Sequence, residues 1–222
     1  MRIAFFGGTF DPVHLGHLAV ARAAAKKFGL KLIYFAPADI PPHKQKRALA
    51  GFAHRYAMLS LATAGQPGFV PSLIDAYTGM PNYSFESLVR LKKTLSRSDR
   101  LYFLIGVDAF KDISTWYKPV ELLNECDFIV ASRPGYSLAD AARALPEALQ
   151  PPASELEKLS QHRSGFIRLP RTTLHLLDRV NVPISSTKVR TLAQGSIGRL
   201  RRFVPKAVAD YIKKERLYIE NS

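Results

Sequence analysis

The chain has 222 residues, of which 47% are hydrophobic and 23% charged, and its formal net charge at pH 7 is +14. This composition predicts one medium-sized globular domain with a full core. No run of the sequence approaches the apolar length needed to cross a bilayer. Cys126 is the single cysteine, which excludes an internal disulfide. Since the N-terminus also lacks a basic leader followed by an apolar stretch, we expect a cytoplasmic protein with no membrane partner.

The positive charge is scattered in small groups along the chain. A dedicated nucleic-acid binder more often carries one dense basic stripe with interleaved aromatic residues, so this distribution disfavours nucleic acid as the partner. Attraction of polyanionic small molecules and plain solubility are the two other uses of such charge. The basic groups stand at 26–27, 44–47, 92–93, 199–202 and 213–216.

The chain begins with a short apolar run, 2–6, which predicts a buried strand. Gly7 and Gly8 follow at once, and paired glycines let a backbone approach a bulky anion because no Cβ stands in the way. A helix beginning near His14 would supply unpaired N–H groups and the positive end of its dipole, which hold phosphate. His14 and His17 are three residues apart and would share one helix face. A tight turn with ordinary surface histidines is the alternative, but the immediate succession of strand, glycine pair and histidines favours a phosphate site.

The next elements predict a parallel sheet. An alanine-rich helix over 18–28 ends at Gly29, and a second buried strand spans 31–36, so strand, helix and strand fit a right-handed crossover unit. Further strands are predicted at 69–76, 101–105 and 127–132. The glycines match neither the dehydrogenase spacing nor a Walker motif, which disfavours a dehydrogenase and a P-loop kinase. The predicted fold class is therefore α/β, a doubly wound Rossmann-like parallel sheet with a small helical C-terminal part.

Polar and aromatic residues follow the later strands. Gly106 and Asp108 come directly after the fourth strand, where ligands bind in open α/β sheets, although Asp108 could instead cap a short helix. Ser84 is expected to be the N-cap of a helix running to about residue 95. Trp116 is followed by Tyr117, and a single tryptophan is most often part of the core.

A second helix start carries a cluster of donors near the C-terminus. Ser185 and Ser186 are strong helix starters, and Thr187, Lys188 and Arg190 place hydroxyl and cationic groups in the first turns. A simple serine-capped helix is the alternative, whereas the donor cluster is suited to phosphate.

Two segments carry a resemblance to a known family. The run GGTFDPVHLGH at 7–17 and the run ISSTKVR at 184–190 resemble the nucleotidyltransferase superfamily with the His-x-Gly-His element, and more narrowly the bacterial nicotinate-nucleotide adenylyltransferases. The resemblance covers the chain except about 146–170. It implies transfer of AMP from ATP to nicotinate mononucleotide, with release of pyrophosphate, and Mg²⁺ that arrives on ATP rather than on protein ligands.

The resemblance also implies roles for particular residues. Tyr83, Ser84, Trp116 and Tyr117 would bind the pyridine nucleotide, with Ser84 where the family usually has threonine. A Pro-Pro-His-Lys loop would cover the ATP phosphates. The catalytic residues would be His14, His17, Lys44 and Arg190. The ATP-binding residues would be Gly7, Gly8, Thr9, Phe10, His17, His43, Gly106, Asp108, Arg133, Ile184, Ser185, Ser186 and Lys188.

Domain boundaries and alternatives follow from the same motifs. We expect a nucleotidyltransferase α/β domain over 1–183, with an insertion at 146–170, and a helical part over 184–222 that completes the ATP site. A sister adenylyltransferase acting on nicotinamide mononucleotide or phosphopantetheine, a cytidylyltransferase, and a non-catalytic nucleotide-binding relative all stay open. The sequence does not reveal the oligomeric state and is compatible with a homo-oligomer.

Overall fold

A computed structural model describes residues 1–42, 49–162, 164–178, 180, 183–195 and 197–219, with residue 197 described by its backbone alone. Seven strands in this part of the chain form one sheet in the order β3-β2-β1-β4-β5-β7-β6. All neighbouring strands are parallel except β6 and β7, which are antiparallel. The strands are β1 (Arg2–Gly8), β2 (Leu32–Pro37), β3 (Phe69–Pro71), β4 (Arg100–Gly106), β5 (Asp127–Ala131), β6 (Gly165–Arg168) and β7 (Thr173–Leu177).

Helices cover both faces of this sheet, which confirms the predicted doubly wound α/β fold. None of the helices that the structure describes is both long and apolar enough to cross a bilayer. The helices are α1 (Leu15–Phe28), α2 (Phe52–Thr63), α3 (Ser84–Lys92), α4 (Val107–Phe110), α5 (Pro119–Glu125), α6 (Leu138–Arg143), α7 (Ala153–Ser160), α8 (Ser186–Ala193), α9 (Ile197–Leu200) and α10 (Lys206–Lys214), with 3₁₀ turns at Ile113–Thr115 and Glu147–Leu149.

The core consists of two apolar clusters, one on each side of the sheet. Successive strand residues point to opposite faces, so Phe5 lies in one cluster and Phe6 in the other. Phe103 and Leu104 of β4 divide in the same way. A strand buried on both faces reads as a continuous apolar run, which is why these strands are visible in the sequence.

Two predicted elements have different bounds in the structure, and α3 also ends at Lys92 rather than near residue 95. The third strand ends at Pro71 rather than near residue 76, because the Ser72 hydroxyl accepts the Ile74 N–H and turns the chain away from the sheet. The helix predicted to have Ser84 as its N-cap begins one residue earlier. Tyr83 is its N-cap, its carbonyl accepts the Ser87 N–H, and Ser84 is already helical.

The C-terminal helices complete one face of the sheet. Val208, Ala209 and Ile212 of α10 are buried in the same cluster as Phe6, and α10 packs against α2. At the other end of the sheet, the described residues between 146 and 170 form a 3₁₀ turn, α7 and β6, and α7 packs on α6. The C-terminal helices and the start of the chain therefore share one core.

Candidate active site

A cavity of about 760 Å³ lies at the carboxyl ends of β1, β4 and β5, a volume typical of small-molecule sites. Its lining comes from the loop after β1, the starts of α1, α3 and α8, and the segments that follow β4 and β5. Of the predicted site residues that the structure describes, all but Lys188 line it. They are Gly7, Gly8, Thr9, Phe10, His14, His17, Tyr83, Ser84, Gly106, Asp108, Trp116, Tyr117, Arg133, Ile184, Ser185, Ser186 and Arg190.

One described residue is outside that lining, and two predicted residues are not described. His43 and Lys44 lie outside the described residues. Lys188 is exposed, and its ammonium lies 4.9 Å from the centre of the Phe203 ring. Positions 186 and 190 of a helix share a face, whereas 188 lies on the opposite side, so the first two reach the cavity and Lys188 does not.

The two histidines of the opening motif cap the start of α1 reciprocally. The His17 N–H donates to His14 Nδ1 at 3.3 Å, and the His14 N–H donates to His17 Nδ1 at 3.2 Å. The two rings stack with their centres 3.7 Å apart at an angle of 20°. Because both Nδ1 atoms accept hydrogen bonds, each neutral ring carries its proton on Nε2, where it serves as a donor. The helix start thus turns two histidines into a pair of Nε2–H donors in the cavity.

His14 is neutral at physiological pH. Its burial lowers the pKa of the imidazole from 6.5 to about 4, against a smaller opposing effect of its backbone hydrogen bond. Burial disfavours the charged form, and a protonated Nδ1 could not accept the capping hydrogen bond. The donor that His14 offers is therefore an uncharged N–H.

Gly16, the glycine of the His-x-Gly-His element, is required by this arrangement, although the sequence alone assigned it no role. A Cβ at this position would lie 2.9 Å from His14 Nδ1, closer than side chains tolerate. The sequence did carry a signal for this role. Glycine in the first turn of a helix lowers its stability, so its presence there indicates a local steric requirement.

The two motifs that are predicted to bind phosphate contact each other directly. The Ser186 hydroxyl donates to the Pro12 carbonyl at 3.1 Å. The Arg190 guanidinium donates to the Asp11 carbonyl, and its Nη1 lies 3.6 Å from the Asp11 carboxylate. The start of α8 is thereby fixed against the loop that precedes α1, so the donors of both motifs face one cavity.

A buried arginine that the sequence did not reveal supports the same loop. Arg55 of α2 is 1% exposed, and burial lowers its pKa. Its guanidinium donates to the carbonyls of Thr9 at 2.9 Å and Ala38 at 2.7 Å, while its Nε donates to the Ala50 carbonyl at 2.9 Å. One side chain thus ties the loop after β1 to the segment after β2.

Asp108 and Arg133 pair with each other at the ends of β4 and β5. Arg133 Nη2 lies 2.5 Å from Asp108 Oδ2, and both side chains are well exposed at the cavity. Gly106 is the N-cap of α4 and Asp108 is its second residue, so the alternative in which Asp108 is the N-cap was wrong.

Aromatic rings line another part of the cavity. Tyr83 and Tyr117 stack with their centres 4.5 Å apart at 30°. Trp116 is half-buried, packs against the core 6.4 Å from the centre of Phe103, and also lines the cavity. Trp116 therefore satisfies both interpretations, with one part in the core and another available to a ligand.

A polar network beneath these rings was also missed by the sequence. The Asn82 carboxamide accepts the Ile40 N–H at 2.7 Å and donates to the Asp75 carbonyl at 3.1 Å. Ser87 and Arg90 each donate to the Asp75 carboxylate at 2.6 Å. Burial raises the pKa of Asp75, and these two donors oppose that shift. The network holds the segment before α3, which carries Tyr83, against the segment after β2.

Four aspartates line the cavity, Asp11, Asp75, Asp108 and Asp112, and the first three accept hydrogen bonds from protein side chains. Tyr218 donates to Asp11, Ser87 and Arg90 to Asp75, and Arg133 to Asp108. Within the part of the chain that the structure describes, histidine, cysteine, aspartate and glutamate side chains form no group of three or more that could hold a metal ion.

Comparisons with known proteins agree with one another. A family model described as cytidylyltransferase-like matches residues 5–192. A probable nicotinate-nucleotide adenylyltransferase from Geobacter sp. (strain M21) is 37% identical over 99% of each chain, and one from Gloeobacter violaceus is 37% identical over 98% of this chain and 96% of that protein.

Solved structures show the same fold. The nicotinic acid mononucleotide adenylyltransferase of Plasmodium falciparum, complexed with NaAD, superposes with a TM-score of 0.68 at 20% identity, covering 98% of this chain and 97% of that one. The same enzyme complexed with APC gives a TM-score of 0.68 at 19% identity. With the family model spanning most of the chain and full-length relatives above 30% identity, the chain belongs to the cytidylyltransferase-like nucleotidyltransferases and, within them, to the nicotinate-nucleotide adenylyltransferases.

Proposed function

We propose that this protein transfers AMP from ATP to nicotinate mononucleotide, giving nicotinate adenine dinucleotide and pyrophosphate. The observation that carries the proposal is the junction of the two phosphate motifs, where the Ser186 hydroxyl donates to the Pro12 carbonyl at 3.1 Å. Donors from both ends of the chain then surround one cavity large enough for a nucleotide.

The reaction needs no general base, because the phosphate of the acceptor is already a competent nucleophile at neutral pH. An oxygen of that phosphate attacks the α-phosphorus of ATP, and the bond from this phosphorus to the bridging oxygen breaks. The electron pair leaves on pyrophosphate. Catalysis then consists of in-line positioning and stabilisation of the charge on the α-phosphate and on the leaving group.

The residues at the two helix starts would supply that stabilisation. His14 and His17 would donate from Nε2–H to phosphate oxygens, with His14 uncharged because its pKa lies at about 4. Ser186 and Arg190, together with His43 and Lys44, would hold the β- and γ-phosphates. Lys188 lacks the place in the cavity lining that Ser186 and Arg190 have, since its ammonium lies over Phe203.

The rest of the cavity divides into two sides. Gly106, Asp108 and Arg133 would face the adenosine, because they lie at the ends of β4 and β5. The pyridine ring would lie against Trp116 and Tyr117, with Tyr83 and Ser84 beside it, and aromatic faces suit a flat cationic ring. A hydrogen bond donated by Ser84 at the start of α3 would favour a carboxylate substituent on the pyridine ring.

Mg²⁺ belongs to this proposal as an ion carried on ATP. Three of the four cavity aspartates are engaged by protein donors, which fits an ion held by phosphate oxygens rather than by the protein. When bound there, it supplies neutralisation of the phosphate charge. The protein's own part is to hold the phosphates and orient the two nucleotides.

One assay separates the proposal from its alternatives. Purified protein, Mg²⁺ and either ATP or CTP are incubated with nicotinate mononucleotide, nicotinamide mononucleotide or phosphopantetheine, and pyrophosphate release is followed. We expect release with ATP and nicotinate mononucleotide. Pyrophosphate release with CTP, or release with another acceptor at a higher kcat/KM, would instead assign the protein to a related nucleotidyltransferase activity. Binding of ATP with no pyrophosphate from any acceptor would indicate a nucleotide sensor.

A further inference from the structure

The Asp11 carboxylate is a buried junction between the two ends of the chain. Asp11 is 2% exposed, and its Oδ1 accepts the Tyr218 hydroxyl at 2.7 Å and the Ala50 N–H at 3.2 Å. Its Oδ2 lies 3.6 Å from Arg190 Nη1, and its carbonyl accepts a hydrogen bond from Arg190. One residue of the opening loop therefore meets the segment before α2, the helix α8 and the C-terminal segment.

Tyr218 reaches this junction from the end of the chain without lining the cavity. It stands four residues past the end of α10, with a left-handed backbone conformation at φ 63°. Burial and the neighbouring Asp11 carboxylate raise its pKa, so the phenol stays protonated and donates throughout the accessible pH range. Its hydroxyl is thus a permanent donor to Asp11.

The geometry makes Arg190 dependent on this donor. Asp11 Oδ1 is occupied by Tyr218 and Ala50, which leaves Oδ2 facing Arg190 at a distance longer than a hydrogen bond. A buried carboxylate that loses one donor is costly, and it recruits the nearest cation instead. Arg190 Nη1 already donates to the Asp11 carbonyl, and its Nη2 donates to the Thr187 hydroxyl at 2.9 Å. Without the Tyr218 hydroxyl, the guanidinium would move from these partners onto the Asp11 carboxylate and so turn away from the cavity.

We propose that Tyr218 is a positioning residue for ATP, which acts by occupying the Asp11 carboxylate so that Arg190 stays directed at the nucleotide phosphates. This inference rests on the proposed function, since it takes ATP as the ligand of the cavity. Tyr218 touches no substrate in this arrangement. Its effect is confined to the phosphate side, far from the aromatic rings assigned to the acceptor.

The test compares Tyr218→Phe with Tyr211→Phe. Each variant removes one hydroxyl from the C-terminal part and keeps the ring, but Tyr211 donates its hydrogen bond to, or accepts one from, His54 Nδ1 at 2.9 Å, outside the cavity lining. KM is measured for each substrate, binding of a non-hydrolysable ATP analogue is measured by calorimetry, and the unfolding temperature is recorded for every variant.

For Tyr218→Phe we expect KM for ATP and Kd for the analogue to rise about tenfold, the size of one charge-assisted hydrogen bond. KM for the acceptor should stay unchanged, and Tyr211→Phe should match wild type in all three constants. Unchanged ATP constants in Tyr218→Phe, or equal losses for both substrates, would overturn the inference and leave Tyr218 a purely structural role.

A double-mutant cycle with Arg190→Lys tests the route of the effect. If Tyr218 acts through Arg190, Tyr218→Phe should change analogue binding less than twofold in the Arg190→Lys background, since coupled residues are non-additive. Full additivity would contradict the route. If the Tyr218→Phe variant does not fold, Asp11→Asn replaces it in the same double-mutant cycle, because this substitution removes the charge that faces Arg190.

The binding measurements also separate this inference from the proposed function. If wild type releases no pyrophosphate with any acceptor, the proposed function fails, but the analogue still reports whether Tyr218 and Arg190 are coupled. If pyrophosphate is released and the analogue binds both tyrosine variants equally, the inference alone fails.

Discussion

Replacing His14 by asparagine separates the two tasks of this residue. In the folded protein, His14 Nδ1 accepts the His17 N–H at 3.3 Å and caps α1, while its other ring nitrogen is the proposed donor to phosphate. Asparagine is among the best N-cap residues, so His14→Asn keeps an acceptor for the helix start and removes the imidazole. His14→Ala removes both.

The two variants should therefore agree in turnover and differ in stability. Loss of one preorganised donor to a developing charge costs about 10²–10³ in kcat, and both variants should show it. His14→Ala loses in addition the cap, about 1 kcal/mol in the free energy of unfolding. For a chain of this length that difference corresponds to roughly 2–4 °C in the unfolding temperature.

The assay follows pyrophosphate release at saturating ATP and nicotinate mononucleotide, alongside thermal unfolding of each variant. A His14→Asn protein whose kcat lies within about fivefold of wild type would refute the donor role, because that loss is far below the cost of removing such a donor. Equal unfolding temperatures for the asparagine and alanine variants would refute the capping role instead.

Three further predictions concern stability, geometry and the acceptor side. The pKa of His14 is about 4 in the folded protein against 6.5 for the free group, so the unfolded chain binds more protons between these pH values. The free energy of unfolding, measured in urea, should therefore fall by on the order of 3 kcal/mol as pH falls from 6.5 to 4. His14→Asn should largely abolish this loss. Gly16→Ala should displace the His14 ring and lower kcat by about 10²-fold, whereas Gly195→Ala, with 3.7 Å to its nearest neighbour, should not; equal kcat values would contradict the clash. Tyr117→Ala should raise KM for the acceptor about tenfold and leave KM for ATP unchanged, since stacking on a ring contributes about 1–3 kcal/mol. Phe166→Ala, an exposed ring outside the cavity lining, is its control, and a rise in both KM values would count against the assignment.

The part of the site that lies in short continuous runs could be predicted from the sequence. The glycine pair and both histidines lie within one short run, and Ser185 and Ser186 are adjacent in another. In each run the local chemistry predicts a helix start that binds an anion. The apolar strands were equally clear, because a strand buried on both faces has no polar positions. These signals need no knowledge of which distant segments meet.

The supporting residues could not be predicted in this way. Asp11 and Tyr218 are 207 positions apart, and Asn82 meets Ile40 across 42. A buried arginine such as Arg55 looks like a solvated helix residue until the carbonyls around it are known. Lys188 shows the converse, since the motif includes it while the helical period places it outside the cavity lining.

Both outer strands of the sheet are poor templates for another strand. β3 has three residues and ends in a proline, while β6 has four residues and begins with a glycine at φ 126°. A strand from a second molecule would find few unpaired N–H and C=O groups at either border. Edge-to-edge stacking of the kind that leads to fibres is thus disfavoured by the architecture itself.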